Sequence, residues 1–320
     1  MKITDVRNSV LGQTALACLV LICLTLIVPA QAEAQMEGPR VYLLAPVDMN
    51  VLVGTYMDMS GNFNFSGTIL VKDADISADI GVLIYMRYFS IGNHFAQLWV
   101  APVWGKVGGS LDLNGGMGPE NINIPSISGF ADPYVAMRVG LVGAPALKMS
   151  EFVKYRQTFQ LHALVSAYLP VGDYDSSRPL NLGTNRWAVR LGLPMVVPFG
   201  TPPRSTYLEI IPSINFFTDN NDPFGADIRE QDPLFLLESH LSHNFTARFW
   251  GSVDFRYQNG GETTTDGLPD DNRMNQFGAG VSLGYSITPA WMLQTTYGEI
   301  IAENNDARGR NLRLRLSYVF

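Results

Sequence analysis

The chain has 320 residues, 47% of them hydrophobic and 16% charged, with a net charge of −7; an ordinary soluble domain carries about 25% charged residues. Its 17 Phe, 13 Tyr and 5 Trp exclude an intrinsically disordered chain, and its 30 Gly follow no fixed period, which excludes collagen-like and low-complexity classes. The acidic balance offers no basic footprint for a phosphate backbone, so nucleic acid is not an expected partner.

At the N-terminus, Lys2 and Arg7 precede an apolar run from Leu16 to Val28, broken only by Thr25, and Pro29-Ala30-Gln31-Ala32 ends it with small residues. This order predicts a secretory signal peptide over residues 1–32, cleaved after Ala32 or, in the next frame, after Ala34. Cys18 and Cys23 both lie within it, so the mature chain is expected to hold no disulfide. Cleavage also removes Lys2, Arg7 and Asp5, which moves the charge from −7 to −8. Residues 33–50 then form either a periplasmic segment or a small plug.

No apolar stretch of 18 residues follows residue 35, so helical membrane spans are excluded by length. Period two recurs instead. Strands are expected at 51–59, 79–91, 94–107, 133–143, 157–170, 187–198, 206–217, 233–243, 245–257, 275–287, 290–301 and 311–320. In the ninth, Phe245, Ala247, Phe249, Gly251, Val253, Phe255 and Tyr257 share one face, and Thr246, Arg248, Trp250, Ser252, Asp254 and Arg256 the other. Long connections rich in Gly, Asn and Asp follow the odd-numbered strands. Tight ones follow most even-numbered strands, at Gly92-Asn93, Gly200 to Pro203, Asn244 and Thr288-Pro289. The exception runs from Ala144 to Arg156, where Ser150-Glu151-Phe152-Val153-Lys154 predicts a short capped helix.

Long loops at one rim and tight turns at the other, with an even strand number, predict an all-β fold. It is a transmembrane antiparallel up-and-down barrel, residues 51–320, in the bacterial outer membrane, with long extracellular loops and short periplasmic turns. In the last strand Leu312, Leu314, Leu316, Tyr318 and Phe320 alternate with Arg313, Arg315 and Ser317. Leu316, Tyr318 and Phe320 resemble the C-terminal signature that the barrel assembly machinery recognises. That machinery and outer-membrane lipid are therefore the expected partners.

A charge at mid-bilayer costs about 2–4 kcal/mol, so charged residues within strands are expected to point into the lumen. This assigns Arg87, Arg138, Arg190, Arg248, Arg256, Arg313 and Arg315 to the interior, with Glu209, Glu238 and Asp254. They line a basic passage or form an ion-pair network that fills a narrow barrel. The loops are acidic, with Asp219, Asp222, Asp227, Glu230 and Asp232 in one and Glu262, Asp266, Asp270 and Asp271 in another. Trp99, Trp104, Trp291, Tyr257 and Tyr297 suit interfacial girdles, although strand 94–107 is apolar on both faces and cannot be oriented from its pattern.

Catalytic arrangements are weak. His240-Leu241-Ser242 puts a base and a hydroxyl on one strand face, but near the periplasmic end, away from outer-leaflet lipid; His162 is expected as a polar filler. No HExxH, Walker loop or metal-spaced Cys/His pair occurs. Asp219-Asn220-Asn221-Asp222 and Asp266 to Asp271 lack the Gly and Glu placement of an EF-hand. Neither catalysis, cofactor nor metal is expected.

Between the strands, Gly129-Phe130-Ala131-Asp132-Pro133, Gly143-Ala144-Pro145-Ala146-Leu147, Glu151-Phe152 with Tyr155-Arg156-Gln157, and Leu182-Gly183-Thr184-Asn185-Arg186-Trp187 stand out. With the opening Gly38 to Val53 and the close at Phe320, they resemble the outer-membrane transporter family named for the meta-cleavage pathway of phenol degradation. The resemblance implies passage of small aromatic or hydrophobic organic solutes and supplies no binding residues. A structural or adhesive barrel, its lumen plugged and its acidic loops bound to partners, is the alternative.

Overall fold

Alternation of apolar and polar side chains puts one face of each strand against lipid and the other against the interior, and the backbone is paired only if the sheet closes. The computed structural model describes residues 37–63, 69–71, 73–112 and 121–320. The expected signal peptide, residues 1–32, and residues 33–36 lie outside the described residues. The barrel strands are β1 (Asn50–Gly61), β2 (Ala74–Ile91), β3 (His94–Asp112), β4 (Asn121–Val142) and β5 (Gln160–Tyr168). Next come β6, in two pieces (Ala188–Gly192 and Met195–Phe199), and β7 (Thr206–Phe217), β8 (Leu234–Asn244) and β9 (Phe249–Gly260). Last are β10 (Met274–Ser286), β11 (Trp291–Ala302) and β12 (Gly309–Val319).

Each strand pairs antiparallel with its sequence neighbours, and β1 also pairs with β12, with Leu52 opposite Tyr318 and Thr55 opposite Arg315. Asn50 and Phe320 exchange backbone hydrogen bonds of 2.8 and 2.9 Å at that seam. The ring therefore closes. The break in β6 falls at Leu193-Pro194, where proline has no N–H for the ladder; both pieces lie between β5 and β7. Counting β6 once, the barrel has twelve strands.

Three strands run further than their apolar alternation suggests: β2, β3 and β4 have 18, 19 and 22 residues. The expected strand from 245 begins instead at Phe249, because Phe245 to Arg248 form the turn. There Thr246 Oγ1 accepts from Arg248 N and Phe249 N. Helix α1 (Met149–Phe152) lies in the long connection after β4, held by Lys148 N donating to the Glu151 carboxylate. At the other rim Arg229–Gln231, Thr263–Thr265 and Leu268–Pro269 form a three-stranded sheet. Its hairpin turns at Asp266-Gly267, both at positive φ (49° and 78°), as a two-residue hairpin requires.

The outer surface is apolar: Leu52, Leu83, Val100, Leu191, Leu241, Val253, Leu283, Leu293, Leu312 and Leu314 are exposed. The interior is not uniform. Along β1 to β3 it is apolar, with Val51, Val53, Met57, Ile76, Ile80, Val82, Ile84, Trp99 and Val103 buried in one cluster. Along β8 to β12 it is polar, with Glu238, His240, Ser242, Asp254, Gln258, Gln276, Ser282, Gln294, Asn311, Arg313 and Arg315 buried. That asymmetry orients β3: Trp104 is exposed on the outside, whereas Trp99 is 3% exposed inside and belongs to no interfacial girdle.

Candidate functional site: the barrel lumen

Residues 37–47 run into the lumen, and their polar groups are matched one by one to inward-facing side chains. The Glu37 carboxylate accepts from Tyr134 Oη on β4 and pairs with Arg190 on β6 at 2.7 Å. Its backbone carbonyl accepts from Arg313 and, at 2.8 Å, from Arg315, both on β12. In a ring of twelve strands β6 and β12 face each other across the bore. A residue held by both sits across the barrel axis.

The following residues are gripped on one side. Glu209 on β7 accepts the backbone N–H of Arg40 at 2.7 Å and of Tyr42 at 3.4 Å. The Arg40 guanidinium donates to Ser242 (3.0 Å) and Asn244 (2.7 Å) on β8 and lies 4.3 Å from the Trp250 ring centre. Arg138 on β4 donates to the carbonyls of Tyr42 and Leu43 and, at 2.6 Å, to Gln97 on β3. The side chain of Tyr42 meets the apolar wall edge-on at Trp99, with ring centres 6.4 Å apart. Leu44 and Val47 then pack with Phe95 and Ala144, against Phe152 and Tyr155 of the connection that carries α1. Lumen and periplasmic connection together clasp the segment.

The charged residues expected inside thus divide. Arg138, Arg190, Glu209, Arg313 and Arg315 hold the inserted segment, and Glu238 joins them through Arg190 at 3.4 Å. Asp254 bonds His240 Nδ1 at 2.9 Å and Ser282 Oγ at 2.6 Å. Arg256 is half-buried and lines an internal cavity. Two lie elsewhere. Arg87 shares the outward parity of Leu83 and Tyr85 at the turn-side end of β2, where its guanidinium reaches Asp48 and Asn50; a long side chain at a strand end can hold its charge in the interface. Arg248 is exposed in the turn before β9. Sequence patterning missed Glu37, Arg40, Tyr42 and Tyr134, which complete the network. The nearest signal was the charged, turn-forming Glu37-Gly38-Pro39-Arg40 running into apolar Val41 to Ala45.

The cavity beside Glu37 measures about 80 Å³. On the wall side it is lined by β8 to β12, including Gly278, Gly280 and Gly298. His162 is fully buried and stacks edge-on against Phe95, as a filler does. Ser242 Oγ is engaged by Arg40 and His240 Nδ1 by Asp254, so both groups of the His-x-Ser pair have other partners.

The family-like segments also meet. The Asp132 carboxylate accepts from Gly172 N (2.9 Å) and from Thr184 N and Oγ1 (2.8 and 2.6 Å). It thereby folds the loop after β5 into the barrel mouth, burying Leu180 and Leu182. A family model described as "Putative MetA-pathway of phenol degradation" matches residues 57–316. The chain belongs to that family. Among solved structures, the COG4313 outer membrane channel from Pseudomonas putida F1 is similar with a TM-score of 0.72 at 21% identity, covering 89% of this chain and 100% of that one. The translocator domain of the autotransporter NalP from Neisseria meningitidis reaches 0.50 at 10% identity, covering 86% and 89%. At such identities the likeness is one of fold. No curated protein matches the chain. Family, closed barrel and apolar outer surface together make this a β-barrel of the bacterial outer membrane.

Proposed function

We propose that the protein is a narrow outer-membrane channel for small organic solutes, aromatic or otherwise hydrophobic, whose bore is set by its own N-terminal segment. The observation that carries this is Glu37, held from β4, β6 and β12 at once beside a glycine-lined gap. An apolar cavity of about 150 Å³ accommodates benzene; the gap of about 80 Å³ does not. Passage of a ring-sized solute therefore requires residues 37–43 to shift, while water and small ions need less. Membership of the family supports the solute class.

The ionic ties on Glu37 also favour a second reading, a barrel that is structural or adhesive with a permanently filled lumen. Planar-bilayer conductance of the refolded mature chain, with and without residues 33–43, separates the two. The channel reading expects a small conductance for the mature chain and a several-fold larger one for the deletion. A heat-modifiable, folded barrel that conducts in neither form overturns it.

A further inference from the structure

A second cavity lies at the long-loop rim, above the inserted segment. It measures about 170 Å³, slightly more than an apolar cavity of about 150 Å³ that accommodates benzene. One part of its wall is apolar, with Val71, Ile76 at the start of β2, Ile124 on β4, and Leu180 and Phe224 from the loops after β5 and β7, and Asn181, Thr184 and Asn220 add neutral polar groups. Among the described residues that line it there is no carboxylate, although these loops are acidic, and there are three arginines: Arg178, Arg186 and Arg229. Arg178 is spoken for by Asp175 at 3.0 Å. The other two are not neutralised in this way. Arg229 Nε donates to the neutral Thr265 hydroxyl at 3.0 Å.

Arg186 is 4% exposed; its Nη2 donates to Gln231, its plane lies 4.5 Å from the Phe217 ring centre, and its Nη1 is buried without a hydrogen-bond partner among the described residues. Burial and then the neighbouring Arg229 lower its pKa to about 10, with Asp132 acting the other way, so it is charged at neutral pH. A buried guanidinium with a spare donor is costly unless an acceptor completes it. Asp132 accepts from Gly172 and Thr184 and makes no hydrogen bond to Arg186, so among the described residues the Nη1 donor on the cavity wall is open to an acceptor.

We propose that this vestibule binds one small amphipathic organic anion, a carboxylate on a ring-sized apolar body, with the carboxylate between Arg186 and Arg229 and the body against Ile76, Ile124, Leu180 and Phe224. Apolar walls alone would admit any hydrophobic solute, and arginines alone any anion; their combination selects solutes that are both. A planar guanidinium meets a carboxylate through two parallel bonds, which fixes the solute's orientation as well as its charge. The site deepens the channel reading, on which its role in uptake rests, but its occupancy can be measured without transport.

The test uses fluorine NMR of the refolded mature chain in detergent, with 4-fluorobenzoate as probe and 4-fluorobenzamide as its neutral counterpart. Saturable broadening by the benzoate, at least ten-fold weaker for the benzamide, is expected. Arg186→Gln and Arg229→Gln are each expected to weaken the benzoate at least ten-fold. Arg229 is half-exposed, so its variant keeps the test decisive should Arg186→Gln misfold. Equal affinity for the two probes, no saturable binding to folded protein, or benzoate binding unchanged by Arg229→Gln would overturn the site. Benzoate binding by a barrel that conducts nothing supports the site while removing the channel; conductance without benzoate binding removes the site alone.

Discussion

The arc from β1 to β3 and the arc from β8 to β12 build opposite kinds of interior from the same strand geometry. The first is mainly apolar, with Val53, Ile80, Val82 and Trp99 packed inward and only Thr55 and Gln97 as buried polar side chains among its described residues. The second places glutamate, histidine, glutamine and arginine inward and interrupts them with Gly278, Gly280 and Gly298. A barrel of twelve strands lies between the filled eight-stranded kind and the open channels of sixteen or more. Here one arc fills its share with side chains and the other leaves a slot. The N-terminal segment bridges them, with Tyr42 against Trp99 and Glu37 on Arg313 and Arg315. Packing on one side and charge on the other hold the same short peptide.

The largest expected effect comes from breaking the ionic centre. Arg190→Gln takes the 2.7 Å ion-pair partner from the buried Glu37 carboxylate and the 3.4 Å one from Glu238, and loss of one partner from a buried pair costs about 3–5 kcal/mol. Thermal or urea unfolding of the reconstituted barrel checks this. On the apolar arc, Ile80→Val, which removes one methylene from a fully buried side chain, is expected to cost about 0.5–1.5 kcal/mol. Equal costs for the two would contradict the difference between the arcs.

The slot itself is addressed at Gly298, where an added Cβ meets only ordinary contacts, at 3.5 and 3.6 Å from Ala279 O and Gly280 Cα. Gly298→Leu is expected to cut single-channel conductance by half or more at unchanged stability. Gly54→Leu, on the lipid face with nothing within 4 Å of the added atom, is its control and leaves conductance as it was. The smallest effects are expected at Arg87 and Arg248, which lie outside the lumen: their Gln variants keep the wild-type reversal potential. Arg256→Gln, beside the slot, shifts it toward cations.

The barrel was legible because its cause is local: period two, tight Gly92-Asn93 and Thr288-Pro289 turns, and loop lengths that alternate between rims. Parity was readable where one face is polar, as at Arg313 and Arg315. It was not readable in β2, where Leu83 and Tyr85 outside match Ile84 and Met86 inside, and there Arg87 fell on the wrong face. The inserted segment was illegible for a different reason. Glu37 and Arg40 have no periodicity, and their partners lie 97 to 278 residues away in sequence. The loop sheet did leave a signal, Asp266-Gly267 between Thr263–Thr265 and Leu268–Pro269, a dipeptide that marks a two-residue hairpin. Acidic loop residues serve that sheet: Asp266 accepts from Asp227 N and Ile228 N, and Asp270 from Thr263 and Thr265.

The most direct test places the photoreactive residue p-benzoylphenylalanine at position 42 of the full-length protein in intact cells. Cross-linked peptides from the assembled barrel are then identified by mass spectrometry. Insertion as described predicts cross-links to His94–Asp112 and Asn121–Val142, the strands that carry Trp99 and Arg138 against Tyr42. Cross-links to periplasmic proteins, with none to barrel strands, would contradict it.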